Sequence, residues 1–312
     1  MQNNKLNFIF FGTPDVASET LEILKQAGFL PSLIITAPDA KSGRGMHLQA
    51  SPVAVFAEKN KILCLKPEKL TQEELGNVFR TLGRSNDDGQ RKFSVKNFRG
   101  DKNIPELFLV VAYGKILGED IINMPKLGSI NIHYSLLPKY RGASPVESAI
   151  LNGETETGVT IQKMEFKMDT GPILAVEKTE IHKDEKAKEL KKRLIKIGGE
   201  LLIKILNTTS SPFGHSPLTG GEKQDESHAT YCKKIKKEDG LVDLRVELPN
   251  TLYNKFKAYA KWPRTFFFQN NKRIIITDAE LVEDKFVIKK VLPEGKREIT
   301  WEEFKKQNSK LV

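Results

Sequence analysis

The sequence predicts a doubly wound, Rossmann-like α/β domain followed by a small β-rich, OB-like barrel domain. Three observations lead there. Between residues 6 and 206, short apolar runs alternate with stretches of helical periodicity, the pattern of a parallel sheet covered by helices. "NTTSSPFGHSPLTGGEKQDES" then breaks the rhythm with Ser, Thr, Gly and Pro. Beyond Thr230 the apolar runs are short and alternate, as in "RIIITDAELV" and "KFVIKKVL". The expected domains are 1–206 (catalytic), 207–229 (linker) and 230–312 (C-terminal).

Leu6–Phe11 reads as a buried first strand. Thr13 is placed to cap the following helix, with Pro14 at its first position. Ala17, Leu21 and Leu24 recur at helical spacing, and Gly28 ends the helix. Leu33–Ile35, Ile62–Leu65, Leu107–Ala112 and Ser129–Ile132 are further strands. "GVTIQKMEFKMDTGPILAVEKTEI" reads as strand, turn, strand, and a lysine-rich helix follows near Asp184–Leu206. One more helix is expected near Leu248–Ala260. Two connections are long: the Gly-rich Ala37–Pro52, read as functional, and the polar Leu82–Asn103, read as an exposed or mobile insertion.

The 312 residues carry a formal charge of +10. That balance suits an anionic partner, and equally a lysine-rich solubilising surface. Cys64 and Cys232 stand far apart in no metal-like spacing, which fits a reducing compartment. No signal-peptide pattern is visible and "LNFIFFG" is too short to span a bilayer, so a soluble, cytoplasmic protein is expected.

The chemistry starts at "SINIH". Strand side chains alternate, so Ile130 and Ile132 face one way and Asn131 and His133 the other. With the isoleucines in the core, the polar pair projects at the strand's carboxyl end, where open α/β sheets place ligands. An amide can donate to a developing oxyanion, and an imidazole can exchange a proton near neutral pH. The plain alternative is a polar pair satisfied at a strand end. Asp169 adds a carboxylate in the turn before Thr170-Gly171; alone it is turn chemistry, but it can also orient His133. Amide, imidazole and carboxylate make an acyl-transfer site without a nucleophilic serine or cysteine. "FFGTPDVAS" lacks G-x-G-x-x-G and no P-loop occurs, so the fold does not imply a dehydrogenase.

"FFGTPDVAS", "SGRG", "VVAYGKIL", "INIHYSLLPKYRGASPVESAILNGETETGVTI", "MDTGPIL", "AKWPRTFFF" and "TWEEF" together resemble the methionyl-tRNA formyltransferases, in order and approximate spacing. The resemblance is weakest in Leu82–Asn103. It implies transfer of formyl from 10-formyltetrahydrofolate to the α-amino group of initiator methionyl-tRNA. Asn131 and His133 would stabilise the oxyanion, and Asp169 would orient His133. Ser135, Leu136, Leu137 and Pro138, with Lys115, Ile116 and Leu117, would form the folate pocket. Lys41 and Arg44 would touch tRNA, as would lysines such as Lys233, Lys234, Lys236 and Lys237. Tyr134 stands where the family pattern has a small residue and would change the pocket wall. No metal, DNA or membrane partner is expected, and the chain is expected to act as a monomer. The main alternative is a formyltransferase acting on an amino sugar nucleotide or a purine precursor. An RNA-binding protein with a silent α/β domain and a formyltetrahydrofolate hydrolase also stay open.

Overall fold

A computed structural model describes residues 6–42, 46–83, 105–209, 218 and 220–308. Two compact units emerge. The first comprises Met1–Pro138, Gly158–Glu177 and Leu194–Ala229; the second comprises Lys139–Thr157, Lys178–Arg193 and Thr230–Val312.

The first unit is built on a seven-stranded sheet. Its strands are β1 (Phe8–Gly12), β2 (Leu33–Ile35), β5 (Cys64–Leu65), β6 (Leu107–Val111), β7 (Ser129–His133), β9 (Glu156–Lys163) and β10 (Ile173–Glu180), in the order β10-β9-β7-β6-β1-β2-β5. A short antiparallel ribbon, β3 (Ala40–Ser42) and β4 (His47–Gln49), lies within the Ala37–Pro52 connection. The helices are α1 (Asp15–Gln26), α2 (Pro52–Lys59), α3 (Gln72–Gly83), α4 (Glu119–Ile122) and part of α6 (Ala187–Thr209).

β1 is buried on both faces because helices cover both, so "FIFFG" is apolar throughout rather than alternating. Ile9, Phe11, Leu33, Ile35, Phe108 and Val110 form one core with Tyr113, Leu117, Ile121 and Ile122. Each such side chain contributes about 1.5–3 kcal/mol on burial.

Two details differ from the sequence reading. The sheet is parallel from β5 through β7, but β9 runs antiparallel to β7. Thr13 does not cap α1. Its hydroxyl donates to the Tyr113 carbonyl (2.9 Å), tying the first turn to the loop after β6, and Pro14 occupies the cap position. The Ala37–Pro52 connection carries the β3–β4 ribbon. It ends at Ser51, whose side chain accepts from Ala54 N–H and caps α2 ahead of Pro52. Of the expected insertion Leu82–Asn103, all but the end of α3 lies outside the described residues.

The second unit contains β8 (Arg141–Gly142), α5 (Pro145–Leu151), β11 (Tyr231–Cys232), α7 (Pro249–Ala258) and α8 (Trp301–Gln307). It is β-rich as its alternating runs predict: β12 (Phe266–Gln269), β13 (Lys272–Val282), β14 (Lys285–Pro293) and β15 (Ile299–Thr300) form an antiparallel sheet. Phe256, Phe267, Ile274, Ile276, Ile288 and Phe304 pack its core. Thr300 and Glu303 form the capping box that starts α8. No helix among the described residues is long and apolar enough to cross a membrane.

Candidate active site

β7 delivers what its alternation predicts. Ile130 and Ile132 are buried, and Asn131 and His133 share the other face. The antiparallel register sets Gln162 opposite Asn131 and Thr160 opposite His133. Directly opposed residues share a face, so four polar side chains make one patch across β7 and β9. Thr160 and Gln162 are almost completely buried, and each has a task. Thr160 Oγ1 donates to the Ser135 carbonyl (2.7 Å) and accepts from Leu137 N–H (3.2 Å), which pins the "SLLP" bend. Gln162 Nε2 donates to Asp169 Oδ1 (2.9 Å).

Asp169 sits in the β9–β10 turn with φ +55°, a left-handed conformation that Asp tolerates better than most residues. Its Oδ2 stands 3.7 Å from His133 Nδ1, beyond hydrogen-bond length but well within Coulombic reach. Both side chains are shielded, at 6% and 11% exposure. The turn closes tightly on β9. A Cβ on Gly171 would fall 1.8 Å from the Lys163 carbonyl oxygen, so no larger residue fits without moving the hairpin. The structure thus brings Asn131, His133 and Asp169 to one place.

The remaining predicted residues are placed as follows. Ser135 and Leu137 are buried within the bend, with Leu136 and Pro138 half-buried; the Leu137–Pro138 peptide is cis. Tyr134 turns away from the catalytic face. Its ring lies beside Ile132 against α6, where a Cβ on Gly198 would meet both side chains. Burial pushes its phenol above the usual range, so it stays protonated. Lys115 Nζ donates to the Pro67 and Glu68 carbonyls (2.8 and 2.6 Å), Ile116 is 83% exposed, and Leu117 is buried in the core. A cavity of about 300 Å³ beside that loop is lined by Leu65, Lys66, Pro67, Leu70, Glu74, Leu75 and Val78, and none of the trio lines it. Lys41 is exposed on β3, and Arg44 lies outside the described residues. Lys233, Lys234, Lys236 and Lys237 are exposed in the second unit. Among the described residues, no group of three or more His, Cys, Asp or Glu is placed to hold a metal ion.

Sequence reasoning missed Thr160 and Gln162. The signal was present in "VTIQK", where Thr and Gln alternate with apolar residues as Asn and His do in "SINIH". What was lacking was the register that pairs the two strands.

An amide and an imidazole on one strand face, with a carboxylate close by, suit acyl transfer, and comparison with known proteins narrows the class to formyl transferases. The formyl transferase family matches residues 4–206, and the formyl transferase C-terminal domain matches residues 234–287. Methionyl-tRNA formyltransferase of Thermotoga sp. (strain RQ2) is 37% identical over 86% of this chain and 77% of its own. That of Geotalea uraniireducens is 37% identical over 87% and 78%. The chain therefore belongs to the methionyl-tRNA formyltransferase family. Among solved structures, methionyl-tRNA formyltransferase from Clostridium thermocellum has a TM-score of 0.60 at 18% identity, over 92% of this chain and 98% of that one. The N-formyltransferase from Helicobacter canadensis, in complex with folinic acid and dTDP-3-aminofucose, has a TM-score of 0.57 at 19% identity, over 91% and 95%. At such identities the likeness is one of fold.

Proposed function

We propose that this chain transfers the formyl group of 10-formyltetrahydrofolate to the α-amino group of initiator methionyl-tRNA. The observation that carries the reading is that Asn131 shares a strand face with His133, whose shielded imidazole stands 3.7 Å from the shielded carboxylate of Asp169. Family membership supports the choice of acceptor.

The acceptor amine, once neutral, is itself the nucleophile, so no side chain need form a covalent intermediate. Its lone pair attacks the formyl carbon and the carbonyl π electrons move to oxygen. The Asn131 carboxamide and the His133 imidazole donate to that oxyanion. Collapse of the intermediate breaks the bond to N10 of the folate. The nitrogen that attacks must lose a proton and the departing nitrogen must gain one. With Nδ1 turned to Asp169, His133 Nε2 takes the proton lost by the attacking nitrogen, donates it to the oxyanion as imidazolium and passes it to the departing nitrogen, Asp169 helping the relay by balancing that charge. The bend at Ser135–Pro138, held by Thr160, and the exposed Ile116 wall the folate pocket; Leu117 supports it from the core.

Lys41 and Arg44 are read as contacts to the tRNA acceptor end. Lys233, Lys234, Lys236 and Lys237 are read as contacts to its phosphates, binding with little sequence discrimination. Incubation with 10-formyltetrahydrofolate and each of three acceptors tests the reading: charged initiator tRNA, free methionine and a dTDP-amino sugar. Formyl should appear on the charged tRNA alone. Preferential formylation of the sugar would replace this reading with the sugar-nucleotide one.

A further inference from the structure

The turn that carries Asp169 is held from a distant part of the sequence. After α6, residues 220–224 run along the outer edge of β10. Gly221 (φ +134°) lets the backbone lie flush there, since a Cβ would stand 2.7 Å from Pro172 Cβ. Glu222 and Ile173 then exchange two backbone hydrogen bonds, each 2.8 Å. That bridge sends the next residues toward the turn. Gln224 Nε2 reaches the Asp169 carbonyl (2.9 Å), the Gly171 carbonyl (2.8 Å) and Gln162 Oε1 (3.3 Å).

A carboxamide nitrogen has two hydrogens, so the two short contacts take one each and the third is shared. The amide has one admissible orientation, because turning it over would set its oxygen against two carbonyl oxygens. Gln162 in turn donates to Asp169 Oδ1, leaving Oδ2 toward His133. Asp169 is therefore clamped at its backbone by Gln224 and at its carboxylate by Gln162. A non-glycine residue in the left-handed region persists when its surroundings over-determine it, and here they do.

We propose that Gln224 is a positioning residue for formyl transfer, fixing the Asp169 turn so that its carboxylate faces His133. The proposal rests on the function proposed above. It makes residues 220–224 part of the catalytic apparatus rather than a plain connection to the C-terminal domain. Misplacing a reacting group by about 1 Å can cost a hundredfold, so loss of the clamp should be felt in turnover.

The full-length protein tests this with Gln224→Met, which keeps length and loses the donors, and Gln224→Lys, which keeps a donor. Gln224→Met should lower kcat about tenfold and leave KM for both substrates within about twofold, and Gln224→Lys should recover most of that loss. In an Asp169→Ala background, Gln224→Met should have no further effect, because the clamp acts only through Asp169. Should Gln224→Met fail to fold, Gln162→Leu cuts the carboxylate contact and should show the same non-additivity. An unchanged kcat in Gln224→Met, or an additive loss on Asp169→Ala, would overturn the proposal. Wild-type turnover in Asp169→Ala itself would instead refute the site reading on which it rests.

Discussion

The β7–β9 face and the lysine-bearing surface of the second unit solve opposite problems. On the first, His133, Thr160 and Gln162 are buried polar groups, and the hydrogen bonds of Thr160 and Gln162 set the bend and the carboxylate in place. Burying polar groups is expensive unless each is hydrogen-bonded, and the return is fixed geometry. On the second, Lys233, Lys234, Lys236 and Lys237 are exposed. They keep their hydration and their rotamer freedom, and under the proposed function would act through summed charge. Chemistry that depends on sub-ångström placement belongs on the first kind of surface. Holding a large polyanion needs only the second kind. The contrast is sharp enough to be broken by mutation.

The largest effects should come from the buried face. His133→Ala or Asn131→Ala should lower turnover about a hundredfold or more, the scale of losing a proton relay or an oxyanion donor. Asp169→Asn keeps shape but loses charge, so folate binding should survive better than activity; equal loss of both would make the turn merely structural. Gly171→Ala comes next, since its Cβ must displace the Lys163 carbonyl. It should cost about 1–3 kcal/mol of stability and lower kcat with it, read from the unfolding midpoint and steady-state kinetics.

Smaller effects should come from the second unit. Single lysine-to-alanine changes should each shift KM for tRNA by about twofold or less, and that KM should rise steeply with salt. Smallest for activity is the Glu185–Arg193 pair, in which Arg193 Nε and Nη2 both donate to Glu185 at 2.7 Å. Burial works to raise the Glu185 carboxyl, but the Arg193 guanidinium and the His182 N–H outweigh it and hold it below the usual range. A folded-state pKa below the unfolded one contributes stability above the unfolded value, lost as pH falls through the folded value. Glu185→Gln should therefore cost about 2 kcal/mol near neutrality. The gap between it and wild type should close below about pH 4.5, with turnover at pH 7 nearly unchanged.

The strands and the shared face of Asn131 and His133 were legible because they rest on local periodicity, and the Asp169 turn because it rests on local turn chemistry. "SINIH" fixes its own faces, and "MDTG" announces its turn. Thr160, Gln162 and Gln224 were not, because their roles depend on pairing between distant segments. Gln162 meets Asn131 only through an antiparallel register, and Gln224 meets Asp169 across 55 residues. Thr13 was misread for the same reason: its best partner, the Tyr113 carbonyl, is 100 residues away, and a local capping rule cannot see it.

One experiment tests the division between the two surfaces directly. Steady-state kinetics on charged initiator tRNA, at low and moderate salt, would compare wild type, His133→Ala and a variant with Lys233, Lys234, Lys236 and Lys237 all changed to alanine. His133→Ala should lose kcat about a hundredfold or more while KM for tRNA stays within about threefold. The lysine variant should keep kcat, raise KM and lose much of its salt dependence. A lysine variant with collapsed kcat, or a His133→Ala enzyme with near-native kcat, would contradict the account.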